Sequence, residues 1–254
     1  MGTWENKVFF KARLTINMAV NFFLSLYSWA VIAALTIIFG TLAVITSFFN
    51  GNISRKIAKL WGALILKACR IKVNIIGAEN ISSDKSCIVT SNHQSYFDIF
   101  VLLAYLNIDF RFIAKKSLFS IPFLGQSMKR LGYIPIDREN LRSALKSVKA
   151  AMELIKDKTS ILIFPEGTRS PDGRLLSFKK GGLNMFLKHG NMPVLPVVIK
   201  GSINILRKNS LTIHPGKTVE LHILKPLDAT AGKSGSVDII IEKTEQETRM
   251  VLEG

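Results

Sequence analysis

His93 and Asp98 are the residues in this chain whose types and spacing suit proton transfer. An imidazole changes charge near neutrality, and a carboxylate on its Nδ1 proton would set the tautomer and leave Nε2 free as a general base. On one regular helix two side chains five residues apart point about 140° away from each other, so these two cannot both be helical and still meet. They meet if His93 lies in a loop and Asp98 in the first turn of the next helix. The surrounding stretch fits that arrangement. Ser91-Asn92-His93-Gln94-Ser95-Tyr96-Phe97-Asp98 follows the apolar run Cys87 to Thr90 and leads into the apolar-periodic segment Ile99 to Leu106, which reads as strand, tight loop, helix. Ser95 is the expected N-cap, with Asp98 at the third helical position, where capping and the helix dipole both favour a carboxylate. Capping alone accounts for Asp98 but leaves His93 unexplained.

A second stretch, Pro165-Glu166-Gly167-Thr168-Arg169-Ser170, breaks the buried-strand pattern Ser160 to Phe164. Open α/β sheets place their sites at such carboxyl ends of strands. Gly167 allows close approach of a ligand, Thr168 offers a hydroxyl, and the planar fork of Arg169 suits phosphate or carboxylate. Spacing alone leaves this stretch open between an anion site and a turn bearing a surface arginine. Lys115 and Arg138 also close short apolar runs, so three strand ends are positioned to direct cations at one place, although each alone reads as a solvated charge.

The elements that must hold these residues follow from the rest of the pattern. A length of 254 residues with 48% hydrophobic content suits one domain or a domain with an appendage. A net charge of +16 on so apolar a chain points to an anionic membrane surface, and no zinc-finger or RNA-binding signature supports a nucleic-acid partner. The two cysteines, Cys69 and Cys87, have neither disulfide-framework nor metal spacing, and His189, His214 and His222 lack the pairing a metal site needs. A reducing, cytosol-facing location is the simpler inference.

From Leu14 to Ser54 there is no charged residue, which exceeds the roughly 20 residues that cross a bilayer. It is also much longer than the 7–15 apolar residues of a secretory signal, so the segment is expected to stay in the mature protein. One straight helix over Leu14 to Phe49 would run about 54 Å, so a bend or break is expected, with Gly40 and Asn50-Gly51-Asn52 as punctuation. Basic residues flank both ends (Lys7, Lys11, Arg13; Arg55, Lys56, Lys59), which fits a hairpin dipping into one leaflet, with a single span as the other reading. Asn52 or Ser54 is expected to start an amphipathic second helix that turns Trp61 and Leu64 toward lipid. Residues 1–70 are thus assigned to membrane-associated helices and 71–254 to an α/β domain. In the latter, strands are expected at Ile71 to Gly77 (half-buried), Cys87 to Thr90, Phe110 to Ala114, within Gly132 to Arg138, Ser160 to Phe164, Val194 to Ile199 and Thr218 to Lys225. Helices are expected after Asp98, over Leu141 to Ile155 and over Ser236 to Leu252. That alternation predicts a mixed, largely parallel sheet flanked by helices.

Taken together the motifs resemble the glycerolipid acyltransferase family, above all the 1-acylglycerol-3-phosphate (lysophosphatidic acid) acyltransferases. Asn92 to Asp98 matches that family's N-H-x4-D motif, and Phe164 to Ser170 its F-P-E-G-T-R-S motif. Gly132 to Arg138 resembles its G-x-x-F-I-x-R block with Pro135 at the aromatic position. Pro193 to Val197 resembles its V-P-x-x-P block, and Ala114 to Leu118 its A-K-x-E-L stretch with Ser117 for Glu. The resemblance covers about residues 70 to 225. It implies acyl transfer, with no cofactor, from acyl-CoA or acyl carrier protein to the 2-hydroxyl of lysophosphatidate. His93 would act as general base oriented by Asp98, without an acyl-enzyme, since the chain has no G-x-S-x-G elbow. It further implies an acceptor site shaped by Glu166, Gly167 and Arg169, with Thr168 beside them and with Lys115, Arg138 and Arg169 receiving the phosphate. Amides after His93 are the candidate oxyanion donors. Other acceptors (glycerol 3-phosphate or another lysophospholipid), a metal-dependent hydrolase and a non-catalytic basic lipid-binding module are the competing readings. The last leaves the His93 and Asp98 pair without a purpose.

Overall fold

The computed structural model describes residues 2–82, 86–137, 141–156, 159–190, 192–228 and 234–254. Its helices are α1 (Gly2–Ser47), α2 (Gly51–Ala68), α3 (Phe97–Tyr105), α4 (Leu124–Arg130), α5 (Leu141–Lys156), α6 (Lys180–Gly190) and α7 (Ser234–Glu253). Its strands are β1 (Lys72–Ile76), β2 (Ile88–Ser91), β3 (Phe110–Lys115), β4 (Ile134–Ile136), β5 (Ser160–Ile163), β6 (Val194–Lys200) and β7 (Thr218–Ile223). The strands form one sheet in the order β1-β7-β6-β2-β5-β3-β4, parallel at every pairing except β6 with β7. This is the mixed, largely parallel sheet that the alternation of elements predicts.

The apolar runs of the central strands have partners on both faces, which is why they do not alternate with polar residues. Val89, Leu162, Leu195 and Val197 face one core with α2 and α3. Their chain neighbours Ile88, Ile161, Ile163, Val194 and Val198 face the other with α5, α6 and α7. Strand β1 departs from the half-buried expectation. It is an edge strand with only Val73 packed on the core, and Ile75 and Ile76 stay exposed. Helices α4 and α6 lie outside the helices expected from the sequence.

Three expectations for the amino-terminal segment need correction. Gly40 does not break α1, which continues to Ser47. An interior glycine costs only about 1 kcal/mol of helix stability relative to alanine, and here its missing side chain serves packing. A Cβ at Gly40 would lie 3.3 Å from the Phe123 carbonyl oxygen, so the helix and the Phe123 turn touch backbone to backbone. The chain turns instead at Phe48 to Asn50. Asn50, rather than Asn52 or Ser54, caps α2, its side chain accepting the Asn52 N–H at 2.8 Å. Trp61 does not face lipid: its ring meets Phe100 of α3 edge-on, with centroids 5.2 Å apart. Gly62 makes that approach possible, since a Cβ there would lie 3.0 Å from the Phe100 carbonyl oxygen. Trp29, Ile32 and Leu35 of α1 pack on the same core, so the first 70 residues and the sheet share one interior. Along α1, Met18–Ser47 is long and apolar enough to cross a bilayer, and on its outer side Phe22 and Phe23 are 64% and 66% exposed.

The sheet's centre is closed by a side chain. Beyond the last β2–β6 backbone pair, Asn92 takes over the ladder. Its Nδ2 donates to the Ile199 carbonyl at 2.8 Å and its Oδ1 accepts the Ile199 N–H at 2.7 Å. Both residues are fully buried. Asn92→Ala would leave both Ile199 backbone groups unpaired, at about 1–3 kcal/mol for each buried unsatisfied group. A drop in melting temperature is therefore expected, and an unchanged one would show that the ladder does not need this side chain.

Candidate active site

Strands β2, β5 and β3 are consecutive neighbours in the sheet and run parallel, so the loops after their carboxyl ends converge. His93 leaves β2 in a loop, and Asp98 is the second residue of α3, as the spacing demands for them to meet. His93 Nδ1 lies 2.8 Å from Asp98 Oδ2. The same oxygen accepts the Gln94 N–H at 2.7 Å and the Ser95 N–H at 2.9 Å. Three donors on one fully buried oxygen fix both the loop and the ring. With Nδ1 donating, Nε2 is the nitrogen left to act as a base. The assigned helix begins at Phe97, yet Tyr96 is already helical in conformation and Ser95 Oγ accepts the Phe97 N–H at 3.3 Å, the contact expected of Ser95 as N-cap. Asp98 reaches back to Ser95 N–H, which is half of a capping box. Gln94 and Ser95 N–H point at this carboxylate, which corrects the expectation that these amides serve a developing oxyanion.

The loop after β5 supports the His93 loop from below. Glu166 Oε1 accepts the His93 N–H at 2.6 Å and Oε2 accepts the Leu176 N–H at 2.9 Å. Glu166 is 1% exposed and both its oxygens are engaged by backbone, so it braces the His93 loop from behind the cavity wall. Burial pushes its carboxyl up to about 7, against the downward pull of those two N–H bonds. The Ser170 N–H donates to the His93 carbonyl at 2.7 Å, a further tie between the loops. Phe164 stacks on the imidazole, with centroids 4.1 Å apart and planes 18° from parallel. Gly167 sits at φ +73°, the left-handed turn that lets Thr168 and Arg169 project from the loop.

His93 opens onto a cavity of about 570 Å³. Apolar side chains from four helices line it, among them Trp29, Phe39, Trp61, Phe100 and Met128, and so do Lys115, Thr168 and Arg169. The guanidinium of Arg169 lies 3.8 Å from the centre of the Tyr96 ring, a stacking contact that holds the fork in place. Of the cations expected together, Lys115 and Arg169 line the same cavity, and Arg138 lies outside the described residues. Neither Lys115 nor Arg169 has a carboxylate within ion-pair distance among the described residues. The sequence reading missed three contributors. Phe164 and Tyr96 sit inside the quoted motifs as unremarkable aromatics, and Lys208, which donates to Thr168 Oγ1 at 3.1 Å, lies in a segment with no motif at all.

The stretch that carries this site is similar to known proteins. The Acyltransferase family profile matches residues 72–200, which include both loops. The chloroplastic 1-acyl-sn-glycerol-3-phosphate acyltransferase BAT2 of Brassica napus is 41% identical over 172 residues, covering 67% of this chain and 49% of that protein. A 1-acyl-sn-glycerol-3-phosphate acyltransferase of Chlamydomonas reinhardtii is 34% identical over 232 residues, covering 89% of this chain and 67% of that one. The chain therefore spans about half the length of the first of these relatives and two thirds of the second. Among solved structures, the 1-acyl-sn-glycerophosphate acyltransferase PlsC of Thermotoga maritima superposes with a TM-score of 0.80 at 30% identity, over 93% of this chain and 96% of that one. With both loops inside the matched stretch and the whole architecture shared, this chain belongs to the acyltransferase family.

Proposed function

We propose that the protein transfers a fatty acyl group from a thioester, carried by coenzyme A or acyl carrier protein, to the 2-hydroxyl of 1-acylglycerol 3-phosphate, forming phosphatidic acid. The observation that carries this reading is the 2.8 Å His93–Asp98 contact facing an apolar cavity that Arg169 and Lys115 also line. A phosphate on those cations and an acyl chain in the cavity would bring the glycerol hydroxyl beside the imidazole. His93 Nε2 takes the hydroxyl proton as the oxygen attacks the thioester carbonyl. The tetrahedral intermediate then collapses, the C–S bond breaks, and the proton passes from His93 to the departing sulfur. Asp98 keeps the ring in the productive tautomer and stabilises the imidazolium. Arg169 positions as well as binds, since a two-pronged hold on the phosphate sets where the hydroxyl lies.

The same reading places the protein on the cytoplasmic face of a membrane, anchored by α1. It is supported by the exposed apolar side of α1, the basic residues at both of its flanks, and two buried free thiols that suit a reducing compartment.

Three outcomes test this. His93→Ala should lower turnover by about 10²–10⁴-fold, the usual worth of a general base, while the protein stays folded, and Asp98→Ala should lose much of the activity through a misoriented ring. Retention of more than about a tenth of the activity in folded His93→Ala removes the base assignment. Arg169→Lys should raise the KM for 1-acylglycerol 3-phosphate by roughly one to two decades while leaving the thioester KM nearly unchanged. Unchanged acceptor kinetics in folded Arg169→Ala takes this residue out of the site. Finally, glutamates at Phe22, Phe23, Ile37 and Ile38 should cut flotation with phospholipid vesicles sharply, because these side chains face outward and leave the cavity wall intact. Undiminished flotation means that α1 is not the anchor.

A further inference from the structure

We propose that Lys208 is a third cation for the acceptor's phosphate, beside Arg169 and Lys115. The inference rests on reading the cation-lined part of the cavity as the acceptor site. Lys208 lies between β6 and β7, outside every motif, and is one of 34 Lys and Arg residues, so composition does not single it out. Its surroundings do. The ammonium donates to Thr168 Oγ1 at 3.1 Å, and Thr168 lines the cavity next to Arg169. One of three N–H donors is thereby used on a neutral hydroxyl. Among the described residues no carboxylate lies within ion-pair distance of Lys208, and the same holds for Lys115 and Arg169. Lys208 on Thr168 and Arg169 next in the chain to Thr168 bring two such cations to one loop, and Lys115 lines the same cavity as that loop, a concentration of positive charge that an incoming dianion relieves.

The chain around Lys208 is built to hold it there. Two residues before, the Leu206 carbonyl accepts Ser95 Oγ at 2.9 Å, tying the segment to the His93 loop. Asn209 adopts φ +63°, a left-handed conformation that asparagine tolerates, and turns the chain after Lys208. Three residues on, the Leu211 carbonyl accepts Ser25 Oγ at 2.9 Å and Trp29 Nε1 at 2.7 Å, both from α1. The Ile213 N–H then donates to Ser25 Oγ at 3.0 Å. The segment is therefore clamped between the His93 loop and the long apolar helix. Trp29 itself lines the cavity, so the helix that walls the acyl compartment also steadies the segment carrying this cation. Leu211, at the turn, is 78% exposed beside α1, so the segment that carries Lys208 runs alongside the helix proposed as the anchor.

The test uses the full-length protein in phosphatidylcholine vesicles with 1-acylglycerol 3-phosphate and acyl-CoA varied separately. Lys208→Gln should raise the acceptor KM about tenfold, the size expected for one charge-assisted contact in a partly exposed site. It should leave kcat and the acyl-CoA KM within about twofold and the melting temperature unchanged, and Lys208→Arg should recover most of the loss. Added salt should weaken acceptor binding less in Lys208→Gln than in the parent protein. An unchanged acceptor KM in folded Lys208→Gln overturns the proposal. So does a lowered melting temperature with equal losses toward both substrates, the signature of a brace for the Thr168 loop. Arg169→Lys, measured in parallel, separates the two levels. If it raises the acceptor KM while Lys208→Gln does not, Lys208 falls and the acceptor site stands. If neither moves the acceptor KM, or both move the acyl-CoA KM instead, the acceptor reading falls and takes Lys208 with it.

Discussion

A carboxylate withdrawn completely from water must be met by donors, and the site depends on how Asp98 is met. Its Oδ2 accepts two backbone N–H groups and one imidazole N–H. Removing such a charge from solvent is unfavourable unless the hydrogen bonds are well made. The buried Oδ1 of Asp98 has no hydrogen-bond partner among the described residues, so the arrangement that brings all three donors to Oδ2 is what holds the carboxylate, and that arrangement sets the ring of His93. A single oxygen thus does the work of a loop anchor, a helix cap and an orienting partner. The same economy limits what else the loop can supply. Amides committed to Asp98 are not directed at substrate, and any oxyanion donor has to come from elsewhere.

Glu166 does for the underside of the loop what Asp98 does within it, but near a different balance. Two N–H donors favour its charge while burial opposes it, and burial prevails, pushing the carboxyl up to about 7. That group joins two loops from neighbouring strands through backbone alone. In the family motif it stands beside Thr168 and Arg169, yet its geometry is that of a support. Adjacent residues of one short motif thereby divide into a brace that faces the interior and two groups that face the cavity.

The long apolar amino-terminal segment also has two faces. Outward, Phe22 and Phe23 meet each other edge-on and are otherwise largely exposed. Inward, Trp29, Ile32 and Phe39 form a wall of the cavity, and Ser25 and Trp29 hold the Leu211 turn by its carbonyl. An element read as an appendage is thus part of the interior. This is why glycines mark it: Gly40 and Gly62 are sites of close backbone approach.

The sequence by itself determined the order and type of most elements, because buried parallel strands must be continuous apolar runs and helices must repeat near 3.6 residues. It also determined the His93–Asp98 pairing, since geometry allows those residues to meet only across a loop-to-helix junction, and the motifs placed the chain in its family. Local rules were weaker wherever tertiary contact outweighs them. Gly40 reads as punctuation until Phe123 is seen against it. Trp61 reads as a lipid anchor until Phe100 is seen beside it. Glu166 reads as a ligand until its backbone partners are known. Lys208 is invisible in sequence, for its meaning comes from Thr168, 40 residues away, and from a turn held by Ser25 more than 180 residues away. Such contacts depend on which strands are neighbours in the sheet and on how closely helices approach, and no periodicity or spacing along the chain encodes either.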